Sequence, residues 1–233
     1  MKQLELSKKV IGVLGRPITD SENYPYIGIY ENIRTSILKK NCIPFVICPL
    51  ANIDYINTKG KDIPKLIEEE KNILKEMVNI CDGIIMPGGY RMYEYDKFVI
   101  EYAIEKDIPV LGICMGMQLL ASIDNNEYCL EKNESNLEHV QPGEKYAHKI
   151  NVIPNTKFRA IIDKNTIDVN SKHRYHVSKL NKFKVSAYSE DGLIEVIEMP
   201  NKKFVLGVQW HPENMLDYDE YANKIFDEFV RKM

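Results

Sequence analysis

A cysteine between two glycines is the residue pattern in this sequence that is best suited to covalent chemistry. Gly112-Ile113-Cys114-Met115-Gly116 follows the apolar run at residues 108–111 and precedes a run with helical character. Glycines on both sides of a nucleophile let the backbone turn sharply from strand to helix, which lifts the side chain above a sheet. At a helix N-terminus, the helix dipole favours the thiolate form of a cysteine. The pattern predicts Cys114 as a nucleophile, although a buried cysteine that only fills space would match it too.

A histidine and a glutamate two residues apart could complete such a site. They lie in Val208-Gln209-Trp210-His211-Pro212-Glu213, where an extended backbone would project both side chains to the same side. An imidazole can accept the proton of a thiol and return it to a leaving amine. A carboxylate behind it fixes the tautomer and stabilises the imidazolium. A strand end with an exposed histidine and glutamate would give the same letters, so the prediction depends on Cys114 as well.

The first half of the chain predicts the elements that would position these residues. Four short apolar runs predict strands, at residues 10–15, 43–48, 83–86 and 108–111. Between them, apolar residues recur at helical spacing over residues 29–40, 63–78 and 96–106. This alternation predicts a parallel sheet covered on both faces, with ligands beyond the carboxyl ends of its strands. The Gly88-Gly89 turn and Cys114 both fall at such ends, so we expect them to share one cleft.

The second half of the chain predicts mostly strands. A polar, irregular segment at residues 125–143 is followed by five β-rich runs, at residues 150–153, 167–170, 184–188, 194–199 and 204–209. An amphipathic helix is predicted over residues 221–230. Because there is no linker, repeat or low-complexity tract, we predict a single domain over residues 1–233. The predicted fold class is α/β, a three-layer sandwich with a mostly parallel central sheet and a β-rich C-terminal half.

The composition of the whole chain excludes several classes of protein. The 233 residues carry a net charge of −3, so the sequence lacks the excess of basic residues that is typical of proteins that bind nucleic acid. No apolar run is long enough to span a membrane. Five cysteines without regular spacing argue against a disulfide framework and favour the cytoplasm. His173 and His176 are three residues apart, but they lack a supporting carboxylate or cysteine at regular spacing. We therefore predict neither a metal nor another cofactor.

Together, the two motifs resemble those of the class I glutamine amidotransferase superfamily. The matching segments are Gly112-Ile113-Cys114-Met115-Gly116-Met117-Gln118 and Gly207-Val208-Gln209-Trp210-His211-Pro212-Glu213. Within the superfamily, the chain is most similar to the γ-glutamyl hydrolase branch, peptidase family C26, which includes γ-glutamyl-γ-aminobutyrate hydrolases. Val169-Asn170-Ser171-Lys172-His173 and Ala147-His148 support that branch. The resemblance covers nearly the whole chain.

The resemblance implies a catalytic triad and an oxyanion hole. Cys114 is the implied nucleophile, His211 the general base and acid, and Glu213 the residue that orients His211. A tetrahedral intermediate needs preorganised donors, and the loss of one typically costs about 10²–10³ in rate. The implied donors are three backbone N–H groups, those of Gly88, Gly89 and Met115.

The resemblance also implies three residues that contact the substrate. Gln118 lies one helical turn after Cys114, where the superfamily contacts the glutamyl head, although an amide on the helix surface would occupy the same position. Ser171 and His173 match substrate-lining positions of the branch, and a structural hydrogen bond is the alternative for each. The chain departs from the branch at the turn after Gly89, which continues with Tyr90-Arg91-Met92, and at Tyr175, where the branch usually has glutamine.

The predicted function is hydrolysis of the γ-glutamyl amide bond of a small molecule through a thioester, with release of glutamate. Two alternatives stay open: a glutaminase subunit that delivers ammonia to a separate synthase chain, and a catalytically silent binding module on the same fold. An esterase of the α/β-hydrolase type fits less well because its acid normally precedes the histidine. The predicted partners are the small-molecule substrate and, as an open alternative, a second copy of the chain, but neither nucleic acid nor membrane.

Overall fold

A mixed sheet of nine strands organises the chain. The computed structural model describes residues 8–22, 24–51, 65–127 and 129–233. In chain order, the strands are β1 (Val10–Leu14), β2 (Arg16–Thr19), β3 (Pro25–Gly28), β4 (Ile43–Ile47), β5 (Gly83–Met86), β6 (Val110–Ile113), β7 (Leu130–Lys132), β8 (His148–Val152), β9 (Thr166–Val169), β10 (Tyr175–Val177), β11 (Lys184–Ser189), β12 (Ile194–Glu198) and β13 (Val205–Val208). The helices are α1 (Glu31–Lys39), α2 (Glu68–Asn79), α3 (Glu94–Glu105), α4 (Met115–Asn125), α5 (Lys157–Ile162) and α6 (Glu220–Lys232).

The strand order is β4-β1-β5-β6-β13-β12-β11-β8-β9. The first five strands are mutually parallel, and from β13 onward each neighbouring pair is antiparallel. The parallel part is built from the predicted strand–helix alternation, and the antiparallel part comes from the C-terminal half. The predicted fold class, α/β with a mostly parallel central sheet and a β-rich C-terminal half, is confirmed.

Two apolar cores cover the two faces of the sheet. Neighbouring residues of one strand point to opposite faces, so Ile84 and Ile85 of β5 belong to different cores. One core includes side chains of α1, α5 and α6, and the other includes side chains of α2, α3 and α4. The parallel strands β1, β5, β6 and β13 are buried on both faces, which explains why they are apolar runs and not alternating patterns.

Several elements differ from the sequence prediction. The strand before Cys114 extends over β6 and reaches that residue directly, whereas the apolar run predicted residues 108–111. Helix α5 and the pairs β2–β3 and β7–β10 were not predicted, and β7 lies in the segment predicted to be irregular. These elements are short, so they show little hydrophobic periodicity in the sequence, and their stability depends on tertiary contacts. Helix α2 begins at Glu68, and Ile63 of the predicted helix lies outside the described residues.

The candidate functional residues lie at one edge of the sheet, the edge formed by the carboxyl ends of its parallel strands. Strands β5, β6 and β13 are parallel and end at this edge, and β9 runs in the same direction after four antiparallel steps. The edge therefore receives the Gly88-Gly89 turn, Cys114, Asn170 and His211. Within the described residues, no helix has the length and apolar character needed to cross a membrane.

Candidate active site

Cys114 occupies a strained turn between β6 and α4. Its backbone has φ +52° and ψ −105°, which a residue with a side chain rarely adopts. The flanking glycines permit this turn because two backbone segments approach closely there. A Cβ atom on Gly116 would lie 2.2 Å from the carbonyl oxygen of Met86, and one on Gly112 would lie 2.8 Å from the carbonyl of Gly116. The sequence therefore builds the sharp strand-to-helix turn that its glycines predict, with Cys114 at the position a nucleophile would occupy.

His211 lies between Cys114 and Glu213. Its Nδ1 is 2.8 Å from Oε1 of Glu213, and a Cβ atom on Gly88 would lie within 3.6 Å of both Cε1 of His211 and Cβ of Cys114. A carboxylate only accepts hydrogen bonds, so Nδ1 donates to Glu213, which leaves Nε2 available to the thiol. Burial by itself would lower the pKa of His211, but the Glu213 carboxylate and the hydrogen bond to Cys114 outweigh it and raise that pKa well above its ordinary value.

The backbone of His211 is held by the side chain of Asn170. The N–H of His211 donates to Oδ1 of Asn170 at 2.8 Å, and Nδ2 of Asn170 donates to the carbonyl oxygen of His211 at 2.9 Å. Asn170 follows β9 and is buried. Sequence reasoning used this residue only as part of a motif, and no local spacing signals a contact between positions so far apart.

The Gly88-Gly89 turn passes close to both reactive side chains. A Cβ atom on Gly88 would lie 2.9 Å from Cε1 of His211 and 3.6 Å from Cβ of Cys114. One on Gly89 would lie 3.0 Å from Cε of Met115. Met115 is the first residue of α4, so its N–H has no partner within the helix. The backbone of Gly88 and Met115 therefore lies beside Cys114, and Gly89 packs against the side chain of Met115.

A buried ion pair supports the loop that follows this turn. Nη1 of Arg16 lies 2.7 Å from Oδ1 of Asp96, and Nη2 donates to Oδ2 of Asp96 at 3.0 Å. The same Nη2 donates to the carbonyl oxygen of Arg91 at 2.7 Å, and the N–H of Tyr93 donates to Asp96 at 2.9 Å. Bidentate contacts of this kind fix the loop geometrically. Arg16 was not singled out from the sequence, because its partner lies on α3.

A cavity of about 520 Å³ opens beside Cys114. Its size falls within the roughly 300–1,000 Å³ that is typical of sites for small molecules. The wall contains Cys114, His211, Glu213, Gly88, Gly89 and Ser171, together with Tyr30, Asn32, Tyr90, Gln141, Pro142, Gly143, Glu144, Lys145, Asn170, Lys172, Asn214 and Tyr218.

Two of the three predicted substrate contacts are not part of this cavity wall. Gln118 is buried, and its Nε2 donates to the carbonyl oxygen of Tyr175 at 3.0 Å and to Oε1 of Gln209 at 3.3 Å. His173 is buried in a separate cluster. Ser171 lines the cavity, but its hydroxyl donates to the carbonyl oxygen of His139 at 2.8 Å. A role in substrate binding therefore stays a prediction for all three residues.

One group of described residues could hold a metal ion. We call it the histidine cluster, and it consists of His139, His148, His173 and Glu195. All four side chains are buried, and their ligand atoms lie within 4.8 Å of one another. None of the four lines the cavity beside Cys114. The sequence prediction of no metal site missed this cluster because its members are widely spaced along the chain.

Comparisons of sequence agree with the resemblance of the motifs. The family model of peptidase C26 matches residues 92–213, which include Cys114, His211 and Glu213. The glutamine amidotransferase-like protein RP404 of Rickettsia prowazekii is 31% identical, over 83% of this chain and 92% of its own length. The CTP synthase of Sulfolobus acidocaldarius is 35% identical over 80% of this chain, but this chain covers only 40% of that enzyme.

Solved structures share the fold. The glutaminase domain of the Trypanosoma brucei CTP synthase, with bound acivicin, has a TM-score of 0.62 at 16% identity, over 97% of this chain and 95% of that domain. A GMP synthase subunit from Thermoplasma acidophilum has a TM-score of 0.64 at 15% identity, over 96% of this chain and 94% of that one. The motifs, the fold and the relatives agree, and the chain belongs to the peptidase C26 family of the class I glutamine amidotransferase superfamily.

Proposed function

We propose that the protein hydrolyses the γ-glutamyl amide bond of a small molecule through a thioester on Cys114. The observation that carries this proposal is the position of His211, whose ring bonds Glu213 and lies beside Cys114 at the wall of the cavity. A thiol, a base and an orienting carboxylate in this order form the constellation that acyl transfer through cysteine requires.

The reaction proceeds in two halves. Sγ of Cys114 attacks the side-chain carbonyl carbon of the γ-glutamyl group while Nε2 of His211 takes the thiol proton. The oxyanion accepts hydrogen bonds from the backbone N–H groups of Met115 and of Gly88 or Gly89. When the C–N bond breaks, the amine leaves with the proton from His211. Water then attacks the thioester, gives a proton to His211 and releases glutamate, after which that proton returns to Sγ of Cys114.

The cavity wall supports a substrate that carries a carboxylate. Lys145 and Lys172 both line it, and an ammonium group is a suitable partner for the α-carboxylate of a glutamyl head. Ser171 lies next to Lys172 on the same wall, and of the three predicted substrate-binding residues it is the one that we propose contacts the substrate directly. Gln118 and His173 would act from behind the wall by supporting it. The volume leaves room for an amine portion that is larger than ammonia.

A glutaminase subunit is the second candidate. It is favoured by the relatives named CTP synthase, of which this chain covers less than half. In that case glutamine is the substrate, and the ammonia passes to a synthase that is a separate chain. A silent binding module is the third candidate, and it is disfavoured by the intact contacts of His211. All five cysteines are free, which is compatible with the predicted cytoplasmic location.

Glutamate release from a panel of γ-glutamyl compounds tests the proposal. The panel contains glutamine, γ-glutamyl-γ-aminobutyrate, γ-glutamyl peptides and polyglutamylated folate. Cys114→Ala removes the nucleophile, and Cys129→Ala is the matched control because it removes another buried, free thiol. We expect release from a member other than glutamine, lost in Cys114→Ala and retained in Cys129→Ala. Release from glutamine alone would favour the glutaminase, and no release with an unreactive Cys114 would favour the binding module.

A further inference from the structure

The histidine cluster forms a second site, behind the wall of the cavity. Its members reach the same sheet edge as Cys114 from four places: the loop after β7, the start of β8, the segment after β9 and the start of β12. We propose that this site binds one Zn²⁺ ion through four protein ligands, namely His139 Nδ1, His148 Nε2, His173 Nε2 and Glu195 Oε1. The proposal is independent of the reaction at Cys114.

The spacing of the ligand atoms fits a tetrahedral ion. Oε1 of Glu195 lies 3.3 Å from the nearest nitrogen of His173 and 3.7 Å from those of both His139 and His148. Nδ1 of His139 lies 3.0 Å from Nε2 of His173. Zn²⁺ with bonds of about 2.0–2.1 Å at tetrahedral angles places its ligands about 3.3 Å apart. Four of the six distances among the ligand atoms are therefore 3.0–3.7 Å, close to that spacing, and the other two are at most 4.8 Å.

The outer nitrogen of each histidine faces an oxygen that accepts hydrogen bonds. The pairs are His139 Nε2 with Asp191 Oδ2 at 3.0 Å, His148 Nδ1 with the carbonyl oxygen of Lys149 at 3.3 Å, and His173 Nδ1 with the carbonyl oxygen of Tyr175 at 3.1 Å. Asn133 Nδ2 lies 3.2 Å from the same nitrogen of His173, slightly farther than the carbonyl oxygen. Proton donation to these oxygens leaves the inner nitrogens with free lone pairs. Metal-binding histidines are held by outer partners of this kind.

The inner atoms need a positive charge. The side chains of His148 and Glu195 are fully buried, and among the described residues no hydrogen bond satisfies His148 Nε2 or either carboxylate oxygen of Glu195. Converging lone pairs and a buried carboxylate are unfavourable without a cation. A proton shared by His139 and His173 would satisfy those two nitrogens only. A divalent ion satisfies all four ligands at once, and zinc suits three imidazoles and one carboxylate in a closed site.

The ion would have a structural role. A buried site with four protein ligands leaves no open position for substrate, which is typical of structural zinc. It would tie the loop that carries His139 to the sheet, and the cavity-lining residues 141–145 follow directly in that loop. The hydroxyl of Ser171 donates to the carbonyl oxygen of His139, so the cluster also positions one residue of the cavity wall.

Metal analysis of the full chain carrying Cys114→Ala tests the proposal, because that variant cannot bind zinc through the reactive thiol. After dialysis against Zn²⁺ and then buffer, we expect one zinc per chain. Cobalt substitution should give the visible bands of tetrahedral Co²⁺ without a thiolate charge-transfer band. Zinc removal by a chelator should lower the Tm, and Zn²⁺ should restore it. Less than a tenth of an equivalent of zinc, or a Tm that does not respond, would overturn the proposal.

Substitutions assign the ion to the cluster. In the same background, His148→Asn and Glu195→Gln should each lower zinc content at least tenfold. His176→Asn is the matched control, because His176 bonds Asn133 outside the cluster, and it should keep the full equivalent. Asp191→Asn should weaken zinc affinity about 10–100-fold through His139. If His148→Asn and Glu195→Gln keep the zinc of their parent, the ion is bound elsewhere and the proposal is wrong.

Discussion

Asn170→Ala removes the amide that holds the backbone of His211. The two hydrogen bonds involved, at 2.8 Å and 2.9 Å, join the segments that follow β9 and β13 and position the backbone that leads to Glu213. Alanine can replace neither bond. The substitution leaves Cys114 and the imidazole chemically intact, so any loss of rate reflects the position of His211.

The two bonds determine the expected size of the effect. Each hydrogen bond contributes about 1 kcal/mol net, so Asn170→Ala should lower the free energy of unfolding by about 2 kcal/mol. For a chain of this size that corresponds to a Tm lower by about 4–8 °C. A misplacement of about 1 Å in a catalytic group can cost about 10² in rate. We therefore expect kcat to fall about 10²-fold, with a smaller change in KM.

Steady-state kinetics on the substrate found in the γ-glutamyl panel, together with thermal unfolding, measures both effects. Asn125→Ala is the matched control, since the Asn125 amide also makes two hydrogen bonds to backbone, in which Nδ2 donates to the carbonyl oxygens of Ala121 and Lys179, both at 2.9 Å. Asn125 lies outside the cavity wall. The Asn125→Ala variant should have a lower free energy of unfolding than the wild type but the same kcat. Asn170→Asp keeps the acceptor for the N–H of His211 but loses the donor, so its kcat should be intermediate.

A particular combination of results would refute this reasoning. If Asn170→Ala loses the expected stability but retains the kcat of the wild type, the amide does not position His211 for the reaction. If Asn125→Ala loses as much kcat as Asn170→Ala, the fall reflects general loosening of the fold.

Three further predictions concern the residues around the elbow. Glu213→Gln should lower the pKa of His211, measured by NMR titration of the ring, and an unchanged titration would show that Glu213 does not raise that pKa. In the wild type the raised pKa stabilises the fold below about pH 6.5, and this stabilisation is lost as pH rises through the pKa of the folded state. Brief alkylation at neutral pH should label Cys114 well before Cys81, whose pKa burial raises to about 12, and equal labelling in a peptide mass map would count against a reactive Cys114. Gly116→Ala should cost about 3 kcal/mol in urea unfolding, because its Cβ would lie 2.2 Å from a backbone oxygen, and a loss no larger than that of the control would show that the elbow can relax. The matched control for the last prediction is Gly192→Ala, which meets no atom within 4 Å and should cost about 1–2 kcal/mol through its positive φ.

The sequence predicted those parts of the fold and site that local patterns encode. Apolar runs marked the five parallel strands because strands buried on both faces are continuously hydrophobic. The glycines on both sides of Cys114 indicated the elbow, since the backbone permits no side chain at those two positions. The spacing of His211 and Glu213 indicated their contact, because the two residues are near neighbours in the chain. In each case the sequence pattern that carries the signal spans only a few consecutive residues.

Only the tertiary structure decided which distant residues meet. Asn170 contacts His211, Arg16 contacts Asp96, and the histidine cluster gathers at one edge, because the order and direction of the strands bring these positions together. No periodicity records such contacts, since the free energy of a buried polar contact depends on the partner and not on sequence spacing. The sequence by itself therefore pointed to Cys114, His211 and Glu213 as the candidate catalytic residues, and the sheet topology decided which distant residues hold them in place.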